Sequence, residues 1–177
     1  MMKRRGFSLI EALISMILVG GLLVAALNAV GYAKAGQHRL ATRRQGRLLA
    51  EDLRTEINLQ PFQAPGTPEG MLATIGPAGH EMGPDRSRFN DADDYDKWSS
   101  SPPQLQDGTA IPWAANFTRS VSVKWSYFFS PHTTTATPTG MKLFQIEVHY
   151  YDRLVASIQW VRSVYDKPVW SQRQAGW

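Results

Sequence analysis

Cysteine is absent from all 177 residues. Its absence excludes disulfides, thiolate metal sites and a cysteine nucleophile, and leaves the fold to a hydrophobic core, for which the chain is long enough. Histidine is scarce as well. His38, His80, His132 and His149 are scattered without metal-ligand spacing, and His149 reads as a solvent-side strand residue. No Gly-x-Ser-x-Gly elbow, Walker loop or dinucleotide fingerprint occurs, and nothing resembles the paired acid and base of a hydrolase. The chain reads as a non-enzyme. Proline does not interrupt Tyr32 to Leu59, and Phe7 to Val30 holds one formally charged side chain, Glu11.

That apolar stretch is 24 residues long. As a helix it spans roughly 36 Å, enough to cross a hydrocarbon core of about 30 Å with its backbone hydrogen bonds satisfied internally. Lys3, Arg4 and Arg5 precede it and predict a cytoplasmic N-terminus. An ordinary secretory signal fits poorly. The apolar run is too long, and the nearest small-x-small site, Ala33-Lys34-Ala35, lies inside a continuing helical pattern. The net charge of +4 also traces to this end: without the first six residues Lys+Arg falls from 19 to 16 against 15 acids. The near-neutral remainder argues against nucleic acid as a partner.

Glu11 within an apolar helix is costly unless it meets a partner or water, so it marks either a functional carboxylate or a residue near the headgroups. The run Lys3-Arg4-Arg5-Gly6-Phe7-Ser8-Leu9-Ile10-Glu11-Ala12 resembles the leader of type IV prepilins and type II secretion pseudopilins. It has the short basic leader, a Gly at the cut, an aromatic first mature residue and a Glu at mature position five, all in register. The resemblance implies removal of residues 1–6 by prepilin peptidase between Gly6 and Phe7, methylation of the Phe7 amine, and pairing of Glu11 with a neighbouring subunit's N-terminal amine. Gly20-Gly21 falls mid-span, where it either admits a close helix neighbour or loosens the helix. Many major pilins carry a proline further along; this chain has none there.

Beyond the apolar half (7–30), residues 31–60 read as an amphipathic continuation. Leu40, Leu48, Leu49, Leu53 and Ile57 form its apolar stripe, and Pro61 ends it. Arg39, Arg43, Arg44 and Arg47 lie on other faces. They read either as phosphate contacts to lipid or DNA or, as the pattern favours, as a solvated or subunit-facing surface.

The head domain, 61–177, opens with loop over 61–119, rich in proline and glycine at first. Its segment Phe89-Asn90-Asp91-Ala92-Asp93-Asp94-Tyr95 resembles an acidic stretch of some minor pilins. Asp91, Asp93 and Asp96 suit a calcium ion by their near-alternating oxygens, but the glycine and terminal glutamate of an EF-hand loop are missing. An acidic turn capping its own backbone is the favoured reading. No other cofactor is indicated. Tyr95 and Trp98 are expected to fix this loop to the core.

Strands are expected over about 120–165. Val121, Val123, Trp125 and Tyr127 alternate with polar residues, and Leu143–Tyr150 and Val155–Val164 follow, joined by a tight turn at Asp152-Arg153. Ser130 to Gly140 reads as an exposed loop. The tail from Asp166, with Trp170 and Trp177, is an appendage or an interface element. The fold class is α+β, a long N-terminal helix packed on a small antiparallel sheet.

The resemblance implies a minor pilin or pseudopilin. It would be held in the inner membrane with its head periplasmic, then built with other pilins, through an assembly platform, into a pilus or a secretion pseudopilus. A minor role is favoured because a disulfide-closed C-terminal loop is missing and the head carries an irregular aromatic insertion. Two other readings stand: a filament-tip module binding DNA or an adhesion ligand, and a single-pass membrane protein outside any filament.

Overall fold

The computed structural model describes residues 8–68, 72, 74–83 and 85–166. The expected tail beyond Asp166, with Trp170 and Trp177, lies outside them. Helix α1 runs from Leu9 to Leu59 over 51 residues. The chain divides into two compact units, one reaching to Ala41 and the other starting at Thr42.

In the second unit the helix buries Thr42, Gly46, Leu49, Ala50, Leu53 and Ile57, a stripe at the three- and four-residue spacing of one helix face. Leu40 and Leu48, expected in this stripe, are 58% and 64% exposed. Burial of the helix begins only at Thr42, and Leu48 lies one residue off the stripe beside Leu105, Ile111 and Trp113.

Helix carbonyls at a C-terminus need donors from elsewhere. The last turn of α1 holds no basic residue of its own. Arg162 reaches in instead, donating from Nη1 to the Ile57 carbonyl and from Nη2 to that of Gln60, both at 3.0 Å. Pro61 then prevents continuation.

Five antiparallel strands follow: β1 (Ser99–Ser100), β2 (Phe117–Tyr127), β3 (Ser130–Thr135), β4 (Met141–Tyr150) and β5 (Arg153–Ser163). They are ordered β1-β2-β4-β5, with β3 folded back on the end of β2. A short 3₁₀ turn, Pro112–Ala114, precedes β2. The helix face packs Leu49, Ala50, Leu53 and Ile57 on Val121, Val123, Phe144, Ile146 and Val148. Phe144 stacks on Trp160 at 5.1 Å, and the Trp160 indole N–H donates to Asn58 Oδ1 at 3.0 Å. The expected α+β class, a long helix with a small antiparallel sheet, is present.

Four local expectations are corrected. Strand β2 begins at Phe117, because Phe117 and Arg119 extend the inward alternation. Tyr127 is half exposed, since the β2–β3 register slips between Ser126 and Tyr127 and puts Ser126 inside instead. Residues 130–135 are a strand rather than a loop, with Pro131 in an outer strand where its missing N–H is tolerated. The hairpin turn is Tyr151-Asp152, one residue earlier than expected. Both take positive φ, 44° and 61°, the geometry that lets a two-residue turn match the strand twist.

Gly46 shows how closely helix and sheet approach. A Cβ there would meet Val155 Cγ2 at 2.7 Å, whereas at Gly36 it would meet nothing within 4 Å. Gly46→Leu is expected to cost about 1–3 kcal/mol by overpacking. Gly36→Leu should leave the urea midpoint of the detergent-solubilised chain, followed by tryptophan fluorescence, unchanged or higher.

Candidate functional site

Two places collect the residues singled out by sequence. The first is the N-terminal helix. Lys3, Arg4, Arg5, Gly6 and Phe7, the expected leader and cut, lie outside the described residues. Ser8 caps the helix: its Oγ accepts the Glu11 N–H at 3.3 Å and its carbonyl those of Glu11 and Ala12. Glu11 therefore occupies the first turn, where a carboxylate complements the positive end of the helix dipole. The Ser-x-x-Glu spacing is that of a capping box, a local role that the sequence reading passed over. The Glu11 side chain is exposed and makes no ion pair among the described residues. From Leu9 to Val30 every side chain is exposed, Leu, Ile, Val and Met included. No other helix among the described residues is long and apolar enough to cross a membrane.

The second place is the acidic loop. Asp91 and Asp93 are almost completely buried, as is Asp94. Asp91 Oδ1 accepts the backbone N–H groups of Asp93 at 2.8 Å and Asp94 at 3.2 Å. Asp94 Oδ2 accepts those of Asn90 and Asp91, and Asp96 Oδ1 that of Val123 at 2.8 Å. Asp93 Oδ1 lies 2.5 Å from Lys142 Nζ, which also donates to the Phe62 carbonyl at 2.7 Å. Each carboxylate thus faces a donor inside the protein. Among the described residues no three acids or histidines are grouped as a metal ion requires. The hydrogen bonds of Asp91 and Asp94 to the loop's own backbone N–H groups are those of an acidic turn capping itself.

Burial is the main force that raises the Asp91 carboxyl to about 7, helped by its hydrogen bond to Asp93 and that residue's charge, against the Asp93 N–H and Lys142. Burial likewise raises Asp94 to about 6.

Sequence reading missed the cations that hold this loop. Lys142, fully buried, lies over the Phe62 and Trp125 rings at 4.2 and 5.1 Å. Arg86, also buried, grips Glu56 through Nε and Nη2 at 2.8 and 3.0 Å, and Tyr95 donates to the same carboxylate at 2.8 Å. Trp98 lies under the Arg86 guanidinium at 4.2 Å, so Tyr95 and Trp98 do fix the loop as expected. Arg119 donates to the Leu49 carbonyl at 3.2 Å and to that of Gln104. A signal was available, because Arg119, Lys142 and Arg162 all fall in the inward phase of their strands. His149 is half-buried rather than fully on the solvent side.

Removing one partner of a buried ion pair strands the other. Lys142→Met is expected to destabilise the head by about 3–5 kcal/mol in urea unfolding, and adding Asp93→Asn should recover much of that loss. The raised carboxyls carry an opposite pH signature. Native Asp91 and Asp94 hold protons that the unfolded chain has released, so their contribution to stability is full below about pH 4 and is lost as pH rises to about 7. Asp91→Asn, which keeps the acceptor oxygen, should flatten that fall by up to about 1.4 kcal/mol per pH unit, read from midpoints at pH 5 and 8.

Comparison with known proteins finds no match among curated proteins or among solved structures. Residues 1–27 match the family model described as the prokaryotic N-terminal methylation motif. That segment carries the basic residues, Gly6, Phe7 and Glu11, and runs into the wholly exposed apolar stretch of α1. The motif supports processing and assembly of the pilin or pseudopilin type, and with the apolar helix it fits inner-membrane attachment. This N-terminal segment is similar to that of type IV pilin-like proteins, and it is the feature that supports a place in that family.

Proposed function

We propose that this chain is a minor pilin or pseudopilin: a structural subunit with no catalytic role, built into a type IV pilus or a type II secretion pseudopilus. The observation that carries the reading is the methylation motif at residues 1–27, continuous with an apolar helical stretch, Leu9 to Val30, in which no side chain is buried. Prepilin peptidase cuts after Gly6 and the Phe7 amine is methylated. The basic leader stays cytoplasmic and the head is periplasmic. In the filament the apolar helices cover one another, and Glu11 meets the N-terminal amine of the next subunit. Such pairing supplies the partner that a carboxylate needs in an apolar bundle. The minor role rests on the irregular loop over 61–98 and on a head closed without a disulfide. A DNA-binding tip is less favoured, because Arg86, Arg119, Lys142 and Arg162 are all turned inward.

Two measurements test the reading. The mass of the protein from peptidase-proficient cells is expected to be that of residues 7–177 plus one methyl. A peptidase-deficient strain should yield the intact chain, and an intact N-terminus in both strains would overturn the proposal. Glu11→Ala should be processed and remain in the membrane while its recovery in sheared filaments or cross-linked assemblies falls at least tenfold. Unchanged recovery would remove the assembly role of that carboxylate.

A further inference from the structure

Strand β5 is an open edge. In the sheet order it stands last, paired on one side with β4 and, among the described residues, with nothing on the other. The opposite margin of the sheet is treated differently. Along β2, Ser99 and Ser100 pair as β1, the Val121 N–H goes to the Trp98 carbonyl, the Val123 N–H goes to Asp96, and β3 takes the end. Edge strands left unpaired are ordinarily blunted by charge, proline or shortness. β5 has 11 residues, and Leu154 to Val161 is a run of eight without charge or proline.

A row of cations borders that edge. Arg43, Arg47, Glu51 and Arg54 stand on one stripe of α1 and form, with Val155 to Gln159, a groove of about 530 Å³. Arg47 is 77% exposed and Arg54 39%, and Glu51 stands between them at 3.8 and 3.4 Å. The groove keeps a net positive charge, because one carboxylate faces three guanidiniums. Arg43 to Arg54 spans roughly 16 Å of helix, and three alternate residues of an added strand span roughly 13 Å. Strand addition draws affinity from main-chain hydrogen bonds and specificity from alternate side chains. Here those side chains would meet arginines.

We propose that the β5 edge and the Arg43–Arg47–Arg54 stripe form a docking site for an extended acidic segment of another polypeptide. That segment adds as a sixth strand and carries carboxylates at every second residue. The acidic loop of this chain does not supply it, because Asp91, Asp93 and Asp94 are buried. The proposal does not depend on processing after Gly6, so it stands or falls separately from filament assembly.

The test uses the full chain in detergent micelles and a Glu-Val-Glu-Val-Glu peptide with capped ends. Binding is read by titration, and amide hydrogen exchange is followed along β5. The expected result is saturable binding with at least tenfold slowing of exchange at alternate β5 amides. Binding should weaken at least tenfold for the N-methylated peptide, for the Lys-Val-Lys-Val-Lys peptide and for the Arg43→Glu/Arg47→Glu variant. Both substitutions are at exposed helix positions and keep the fold. Equal binding of the N-methylated peptide, or binding without β5 protection, would overturn strand addition. Preference for a DNA duplex over the acidic peptide, lost in the same double variant, would overturn it in favour of a phosphate-binding surface.

Discussion

Three cations on the inner face of the sheet decide how the head holds together. Burying a cation is costly unless donors and acceptors are matched, and each of these finds main-chain oxygen. Arg119 takes the Leu49 and Gln104 carbonyls, Lys142 the Phe62 carbonyl with Asp93, and Arg162 the carbonyls of Ile57 and Gln60. The oxygens belong to the helix, its exit and the loop that follows. Apolar packing alone would leave the helix free to slide along the sheet. Directional bonds from β2 and β5 fix it at Leu49 and Ile57, and the bond from β4 holds the chain just past its end, at Phe62. Arg86 and Tyr95 converge on Glu56 to add a fourth tie from the long loop.

The residues up to Ala41 follow the opposite rule. Nothing from Leu9 to Val30 is buried, so its stability in isolation comes from backbone bonding and from whatever solvent or neighbour accepts its side chains. A lipid bilayer and a bundle of like helices satisfy that requirement equally well. The N-terminal methylation motif is continuous with this exposed stretch. Glu11 is the side chain for which the two surroundings differ most, being costly in lipid and useful beside an amine.

Much of this was legible before any coordinates. The leader-like run, the single carboxylate, the helix end at Pro61 and the two long strands over 141–163 follow from apolar length, proline and period-two alternation. Strand β3 was hidden because Pro and Thr at 131–135 mimic a loop, and only pairing with the end of β2 makes them a strand. The turn at Tyr151-Asp152 was displaced because neither residue is the glycine that usually marks positive φ. Asp91, Asp93 and Asp96 read by spacing as a turn with calcium as the lesser alternative, and spacing does not reveal burial. Once buried, they needed donors, and Lys142, Val123 and the neighbouring N–H groups supply them. The inward cations were visible in the alternation of their strands, but charge in the sequence reads as surface unless its phase is followed.

The closing of α1 by Arg162 has a consequence for the order in which the head is made. The cap and the Ile57 carbonyl it satisfies are 105 residues apart, so the first element of the head is completed by its last strand. Contacts of that separation demand loop closure before they give any return, and they slow folding. A head made N-terminus first therefore lacks the donor at the end of its helix, and β4 lacks its second partner, until the final strand has emerged. Truncation anywhere before Arg162 leaves the carbonyls of Ile57 and Gln60 without this donor.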